Sequence, residues 1–397
     1  MSAETTETAA ARRTSLHGVH EELAAVFTDF GGWDMPLKYG NDVAEHRAVR
    51  SAAGLFDLSH MGEIRVTGPE ASALLDHALV SSFGGLAVGR AKYSVMADAR
   101  GGIVDDLITY RLGEREFLVV PNAANAGAVL RELTVRGGGF EASVRDESGT
   151  TALIALQGPV AAAVLGRVLE ELHLADGGSE LSGLRYYAAA PARVAGHEVL
   201  LARTGYTGED GFELYLPAGE AEGLWRALAE AGEADGVVPA GLAARDSLRL
   251  EAGMPLYGHE LGPDVSPCEA GLERMVGAAL KAKGAFVGRE ALAAALEAAG
   301  DPGARTLVGL RGLGKRPARA GAVLLEPADT DPSGERGGRR AVGVVTSGIP
   351  SPTLGHPVAM ALVERRFAEP GLVLPVEIRG RAAEFEVVPL PFYRPGR

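Results

Sequence analysis

Lys92-Tyr93-Ser94-Val95-Met96, the segment Ala97 to Gly102, and Ile103-Val104-Asp105-Asp106-Leu107-Ile108-Thr109-Tyr110 decide how this chain reads. Two runs of strand composition flank a segment ending in Gly101-Gly102, the pattern of a β-hairpin with a longer loop. The second run is apolar on both faces and reads as a buried strand, yet it carries two adjacent carboxylates. Side chains alternate along a strand, so Asp105 and Asp106 point to opposite faces and cannot share one proton as a dyad. With Met96 paired to Ile103 across the loop, Tyr93 stands opposite Asp106. A desolvated carboxylate there costs several kcal/mol unless a cation or a hydrogen-bond donor meets it. The plainer alternative is one turn-capping aspartate and one buried aspartate satisfied by backbone amides.

On the N-terminal side, His17 to Phe30 has helical spacing, and Phe30 to Leu37 is turn-rich. Asp42 to Ala53 is a second helix, broken by Gly54 to Gly62. Glu63 to Thr67 alternates as a strand, and Pro69 opens a helix through Leu79. After the hairpin come a strand at Phe117 to Asn122 and a helix at Asn125 to Arg136. A similar pattern restarts at Thr151, with a strand to Ala155, Gln157-Gly158-Pro159 and a helix to about Leu172. Strands at Glu198 to Arg203 and Phe212 to Leu216 enclose a glycine-rich turn, and helices span Ala221 to Ala231 and Gly241 to Ala252. Antiparallel strands in hairpins with helices between them argue α+β, not a parallel sheet. Asp301-Pro302-Gly303 reads as a linker. Six short strands follow it without helices, the pattern of a small barrel or jelly roll, and Asp329 to Arg340 reads as a polar loop tip.

At 397 residues the chain suits two or three domains with ample core. A formal charge of −13 argues against general nucleic-acid binding. The single cysteine, Cys268, cannot form an intramolecular disulfide, which points to a reducing, cytoplasmic setting. The first fifteen residues read as a disordered tail, and no apolar run is long enough to span a membrane.

No Walker A, dinucleotide-binding glycine fingerprint, His-Glu-x-x-His or Gly-x-Ser-x-Gly occurs, and the histidines are scattered. No metal site and no nucleophile with its base is expected. Two further stretches stand out. In Arg203 to Leu214, Phe212, Leu214 and Leu216 face one way while Glu213 and Tyr215 face the other; a surface hairpin with a solvated Glu213 is the alternative. In Pro239 to Ala252, Gly241, Arg245, Leu248 and Ala252 share a helix face, so Arg245 sits among small and apolar groups and needs a carboxylate or a ligand. Arg249 reads as part of a surface i,i+4 network.

Together these stretches resemble the aminomethyltransferase (T-protein) family of the glycine cleavage system and its folate-binding superfamily. The matching text runs in order through Asp29 to Leu37, Gly54 to Gly62, Gly101 to Leu107, Leu156 to Pro159, Gly205 to Glu213 and Ala244 to Gly253. It continues through Thr346-Ser347-Gly348, Ser351 to Leu354 and Pro391-Phe392-Tyr393, covering nearly everything after residue 15. The resemblance implies a three-domain cloverleaf around a central folate site. Residues 16–300 would form two intertwined α+β domains, the second (about 55–150) inserted in the first, and 301–397 a β-barrel or jelly roll. It implies transfer of the methylene carbon of an aminomethyl group, carried on the lipoyl arm of H-protein, to tetrahydrofolate, with ammonia released. No metal, nucleic acid or membrane takes part.

Carried over by position, Asp106 resembles the family's essential aspartate near folate N5 and N10, and Tyr93 would line the same pocket. Glu213 matches the residue that grips the pterin N–H groups, and a carboxylate offers two acceptors to that edge. Met61 and Tyr206 would contact the ring system or the aminobenzoyl spacer. Arg245 resembles a folate-contacting arginine, with Asn122 and Tyr393 as lesser candidates, while Asp105 is structural. Lys281, Lys283, Arg289, Lys315, Arg316 and Arg319 could form a positive rim for an acidic carrier protein. The alternatives are a folate-dependent demethylase of a small methylated substrate, or a non-enzymatic folate-binding accessory protein.

Overall fold

The computed structural model describes residues 11–327 and 339–396. The chain opens with α1 (His17–Glu22), the hairpin β1 (Val26–Phe30) and β2 (Trp33–Lys38), α2 (Asp42–Ser51) and β3 (Gly54–Asp57). A five-stranded antiparallel sheet follows, built from β4 (Ile64–Thr67), β5 (Ala91–Ala97), β6 (Ile103–Gly113), β7 (Glu116–Pro121) and β8 (Ser143–Asp146) in the order β5-β6-β7-β4-β8. It carries α3 (Ala71–Ala78) and α4 (Ala126–Arg136). Next come β9 (Thr151–Gln157), α5 (Ala161–Val168), β10 (Leu169–Leu172), β11 (Ala189–Val194), β12 (His197–Ala202), β13 (Gly211–Pro217), α6 (Ala221–Gly232) and β14 (Val238–Pro239). These strands join β3 in a seven-stranded sheet ordered β10-β11-β12-β13-β9-β3-β14. Because β3 pairs with β9 across the intervening strands, the five-stranded unit is spliced into the seven-stranded one. Helices α7 (Leu242–Glu251), α8 (Glu273–Ala282) and α9 (Arg289–Ala298) lead to a closed barrel. It comprises β15 (Arg305–Gly312), β16 (Val323–Leu325), β17 (Ala341–Pro350), β18 (Pro357–Glu364), β19 (Val373–Ile378) and β20 (Arg381–Val388). The fold is thus α+β with a C-terminal barrel, and among the described residues no helix is long and apolar enough to cross a membrane.

The two sheets face each other through a shared layer. Tyr110, Leu118 and Val120 come from one side, and Phe56, Leu153, Ala155 and Tyr215 from the other. The far face of the seven-stranded sheet packs Leu156, Phe212 and Leu214 against α5 and α6. Each fully buried apolar side chain of this size contributes roughly 1.5–3 kcal/mol. Strand alternation therefore sorts β13 cleanly: Phe212, Leu214 and Leu216 join the helical core, which leaves Glu213 and Tyr215 on the inter-sheet face.

Several sequence expectations are corrected. The hairpin register is Met96↔Asp105 and Tyr93↔Ile108, not Met96 to Ile103, because a bulge between Met96 and Ala97 shifts the pairing. The loop is held by Asp98, whose Oδ1 accepts from the backbone of Arg100 and Gly102. A Cβ on Gly102 would fall 2.1 Å from the Pro263 carbonyl oxygen. The first helix stops at Glu22; Ala24 takes a left-handed φ of 54°, and β1 follows. The helix after Pro159 ends at Val168, and β10 replaces its last turn. Residues 11–15 of the expected tail are ordered: Arg12 pairs with the β2 backbone, and Thr14 donates to Asp57 at 2.6 Å. Residues 1–10, and the expected loop tip from Asp329 up to Gly338, lie outside the described residues.

One buried ion cluster ties α2 and α7 to the barrel. Glu251 Oε2 accepts from Arg50 at 2.9 Å and lies 3.2 Å from His46 Nε2. Its Oε1 accepts from the Ser351 hydroxyl and, at 3.1 Å, from the Thr353 amide. Burial alone would raise this carboxyl, but the His46 contact and the Ser351 and Thr353 donors outweigh it and hold Glu251 at about 2. A depressed carboxylate contributes stability that is present above its unfolded value and lost as pH falls toward the folded one. Glu251→Gln should therefore cost about 3–5 kcal/mol at pH 7. In thermal melts, wild type and variant should converge as pH drops from 4.5 toward 2. Equal melting temperatures at neutral pH would show that the cluster does not hold the barrel.

Candidate functional site

A cavity of about 270 Å³ opens between the two sheets near the start of α7. Asp106 on β6, Tyr93 on β5, Asn122 just after β7, Met61 in the turn after β3, Glu213 on β13, Tyr206 and Arg245 all line it. It adjoins an outer chamber of about 510 Å³ beside the barrel, with Phe30, Tyr206, Arg245 and Leu256 common to both walls.

On one wall, Tyr93 is a diagonal neighbour of Asp106, on the same face two residues from its register partner. Its hydroxyl donates to Asp106 Oδ2 at 3.1 Å. Asn122 Nδ2 donates to Asp106 Oδ1 at 2.8 Å, to Asp105 Oδ1 at 2.9 Å and to the Asp106 carbonyl at 3.0 Å. Two amide hydrogens cannot serve three acceptors fully, so Asn122 is shared between the carboxylates. Asp105 faces away, as alternation requires, and also accepts from the Asn122 backbone at 2.9 Å and from Asn125 Nδ2 at 2.6 Å. Burial pushes Asp106 up to about 6 against the Asn122 and Tyr93 donors. Burial and the neighbouring Asp106 charge push Asp105 up to about 7.

On the facing wall, Glu213 Oε2 accepts from the Thr204 hydroxyl and from Tyr110 at 3.3 Å. Tyr215 in turn donates to the Tyr110 hydroxyl at 3.3 Å. Among the described residues Glu213 Oε1 accepts no hydrogen bond, so one oxygen, not two, is fully free for a ligand. The Gln157 side chain underpins the loop that carries Thr204 and Tyr206: it donates to the Thr204 carbonyl at 3.0 Å and accepts from Thr207 at 3.0 Å. A Cβ on Gly205 or Gly211 would collide with that side chain at 1.9 or 2.4 Å, so both positions require glycine.

Between the chambers, the Arg245 guanidinium lies 4.8 Å from the centroid of the Tyr206 ring. It makes no ion pair among the described residues, and burial pulls it below the usual arginine range. A half-buried guanidinium without a carboxylate suits an anionic or aromatic ligand.

Tyr393 is not brought to this cavity. Its ring stacks under the Arg50 guanidinium at 4.0 Å and its amide donates to the Glu251 carbonyl, both in the barrel-linking cluster. Arg249 is not on the surface; it is 1 % exposed and bonds Glu260 at 2.9 Å and Ser347 at 2.8 Å. Of the expected basic rim, Lys283 is committed to the carbonyls of Asp76, Leu79 and Ser81, and Arg289 to those of Leu280 and Lys283. Lys281, Lys315, Arg316 and Arg319 are exposed, and Arg319 lines the outer chamber. The lining also includes Phe30, His60, Tyr187 and Tyr257, which sequence reasoning did not single out. Burial drives His60 down to about 4, so it is neutral at physiological pH.

Residues 16–279 match the GCVT N-terminal domain, and residues 305–394 the glycine cleavage T-protein C-terminal barrel domain. Aminomethyltransferases of Saccharopolyspora erythraea and Streptomyces avermitilis are similar to this chain. They are 52% identical over 383 residues (96% of this chain, 98% of the relative) and 53% identical over 386 residues (97% and 98%). The crystal structure of glycine cleavage system aminomethyltransferase T from Bartonella henselae superposes with a TM-score of 0.84 at 39% identity, covering 97% of this chain and 98% of that one.

If Asn122 is what limits the upward shift of Asp106, Asn122→Leu should raise the Asp106 midpoint from about 6. A lost hydrogen bond to a charged acceptor amounts to roughly one to two pH units. Carboxyl ¹³C titration reads this directly, and an unmoved midpoint would remove Asn122 from the account.

Proposed function

The chain belongs to the glycine cleavage T-protein family and is an aminomethyltransferase of the glycine cleavage system; from that premise we propose that tetrahydrofolate sits between the two facing carboxylates. The pterin occupies the inner cavity, its N–H edge donating to Glu213 Oε1. N5 and N10 lie beside Asp106, and the aminobenzoyl-glutamate tail passes Tyr206 and Arg245 into the outer chamber. The observation that carries this reading is the pairing, on one cavity wall and at its junction with the outer chamber, of two groups that lack a partner among the described residues: a carboxylate oxygen without a donor and a guanidinium without an acceptor. The combined space suits a ligand of this size, since such sites run to roughly 300–1,000 Å³.

The donor is the aminomethyl group on the lipoyl arm of H-protein. Loss of ammonia from the S–CH₂–NH₃⁺ unit leaves an electrophilic carbon, which a folate nitrogen attacks. The second nitrogen then displaces the sulfur and closes the methylene bridge. The two folate N–H protons are lost, and the thiolate and the departing ammonia each gain one, so the balance closes without a further reactant. Asp106, held ionised near neutral pH by neutral donors, orients the attacking amine and stabilises the positive charge that develops there. Burial between the sheets excludes water from the carbon, and holding both reactants supplies much of the rate. Asn122 and Tyr93 act through Asp106, and Thr204 and Tyr110 through Glu213. H-protein approaches from the outer-chamber side, where Arg319 on the chamber wall, with the exposed Lys315 and Arg316 a few residues before it in the chain, offers positive charge to an acidic carrier. The setting is the reducing cytoplasm.

Reconstitution with aminomethylated lipoyl H-protein and tetrahydrofolate should yield ammonia and 5,10-methylenetetrahydrofolate in equal amounts. Turnover of a small methylated amine without H-protein would favour the demethylase instead. Glu213→Gln should raise KM for tetrahydrofolate roughly 10- to 100-fold, as expected for one charge-assisted hydrogen bond. Asp106→Asn should lower kcat about 10²- to 10⁴-fold and abolish the acid limb of the rate profile near pH 6. Asp105→Asn should keep the chemistry and lose stability; equal loss of transfer in both aspartate variants, at preserved fold and folate affinity, would contradict this assignment.

A further inference from the structure

The facing sheets leave a second space behind the folate cavity. It is a cleft of about 810 Å³ between β4, β6 and β7 on one side and β11, β12 and β13 on the other. Tyr215 lines both spaces, so at that point the wall between them is one side chain thick. Glu63 stands in the same partition. The β4–β7 register, with Ile64 opposite Val119, sets Glu63 beside Val120, and alternation turns it to the face of Arg65, away from the helical core that takes Ile64 and Val66. Val120 and its neighbour Ile108 line the folate cavity, whereas Arg65 and Leu118 line the rear cleft, as does Glu63 itself.

Glu63 has no structural reason to be a carboxylic acid. It is 0% exposed, and neither carboxyl oxygen has a hydrogen-bond partner among the described residues. Its backbone alone anchors the segment, the amide donating to Ser148 Oγ and the carbonyl accepting from the Glu147 amide. Burial, then the charges of Asp146 and Glu147, push the carboxyl up to about 9, so it holds its proton at neutral pH. An orphaned buried carboxyl of this kind destabilises the fold, with nothing among the described residues to offset it.

The reaction supplies a partner. Ammonia is released while folate and the lipoyl arm both occupy the site, and ammonia that stays beside the new methylene carbon can add back to it. We propose that Glu63 is a relay site for the released ammonia, taking it behind the cavity wall as ammonium and passing it to the rear cleft. The step balances: neutral ammonia takes the Glu63 proton, leaving an ammonium–carboxylate pair. The ammonium then departs past Glu116, Glu147 and Glu198 on the cleft wall, and Glu63 regains from solvent the proton that the folate nitrogen gave up, so the net balance is the one stated above. Arg65 does not bar this route, because its charge is taken up by Glu116 and Glu147 at 2.8 Å each.

The inference rests on the aminomethyltransferase reading, and the reverse reaction tests it, starting from methylenetetrahydrofolate, reduced H-protein and ammonium chloride. Glu63→Gln and Glu63→Leu should each raise KM for ammonium at least fivefold, with KM for methylenetetrahydrofolate within twofold of wild type. An unchanged ammonium KM, or an equal rise in both constants, overturns the relay. Should neither variant fold, calorimetric titration of the wild-type protein with ammonium chloride against tetramethylammonium chloride decides: heat specific to ammonium supports the site, and its absence removes it. Failure of the wild-type protein to consume methylenetetrahydrofolate at all would indict the functional reading, which the calorimetric arm does not depend on.

Discussion

A buried carboxylate without a cation must be held by neutral donors, and two such groups on opposing sheets define this molecule. Asp106 takes its donors from Asn122 and Tyr93, Glu213 from Thr204 and Tyr110. Neither forms an ion pair among the described residues, so each keeps its charge directed at the space between the sheets. An arginine partner would stabilise either carboxylate more strongly, but it would also neutralise the charge that, in the proposed function, an attacking amine or a pterin edge meets.

The topology exists to bring these two groups together. Splicing the five-stranded sheet between β3 and β9 lets one chain present β6 and β13 face to face, over a hundred residues apart in sequence. The same sandwich that forms the cavity at one end leaves the rear cleft at the other, with Tyr215 and Glu63 between them. The barrel is joined through Glu251, Arg50 and His46, which fixes α7 and so sets Arg245 at the junction of the chambers. Positioning therefore runs from ion cluster to helix to guanidinium.

Much of this was legible in the residues because alternation is a strict rule. From the sequence it assigns Glu213 and Tyr215 to one face of β13 and separates Asp105 from Asp106. The β5–β6 register was not legible: a bulge leaves no mark in composition, and Asp98 could as well have capped an ordinary turn. Local spacing also misled at α1 and α5, where helical periodicity continues into residues that tertiary pairing takes as strands. Tyr393 matched a motif yet belongs to the barrel-linking cluster, and Arg249 resembled a surface charge yet is fully buried. Tyr187, Tyr257 and His60 come from loops whose convergence only the three-dimensional packing decides.

A crystal structure of the protein with tetrahydrofolate bound tests the central claim most directly. One folate should bridge the two walls, its pyrimidine N–H edge within hydrogen-bond distance of Glu213 Oε1 and its N5 and N10 facing the Asp106 carboxylate. A pterin seated in the outer chamber, on the far side of Arg245 and touching neither carboxylate, would contradict the account.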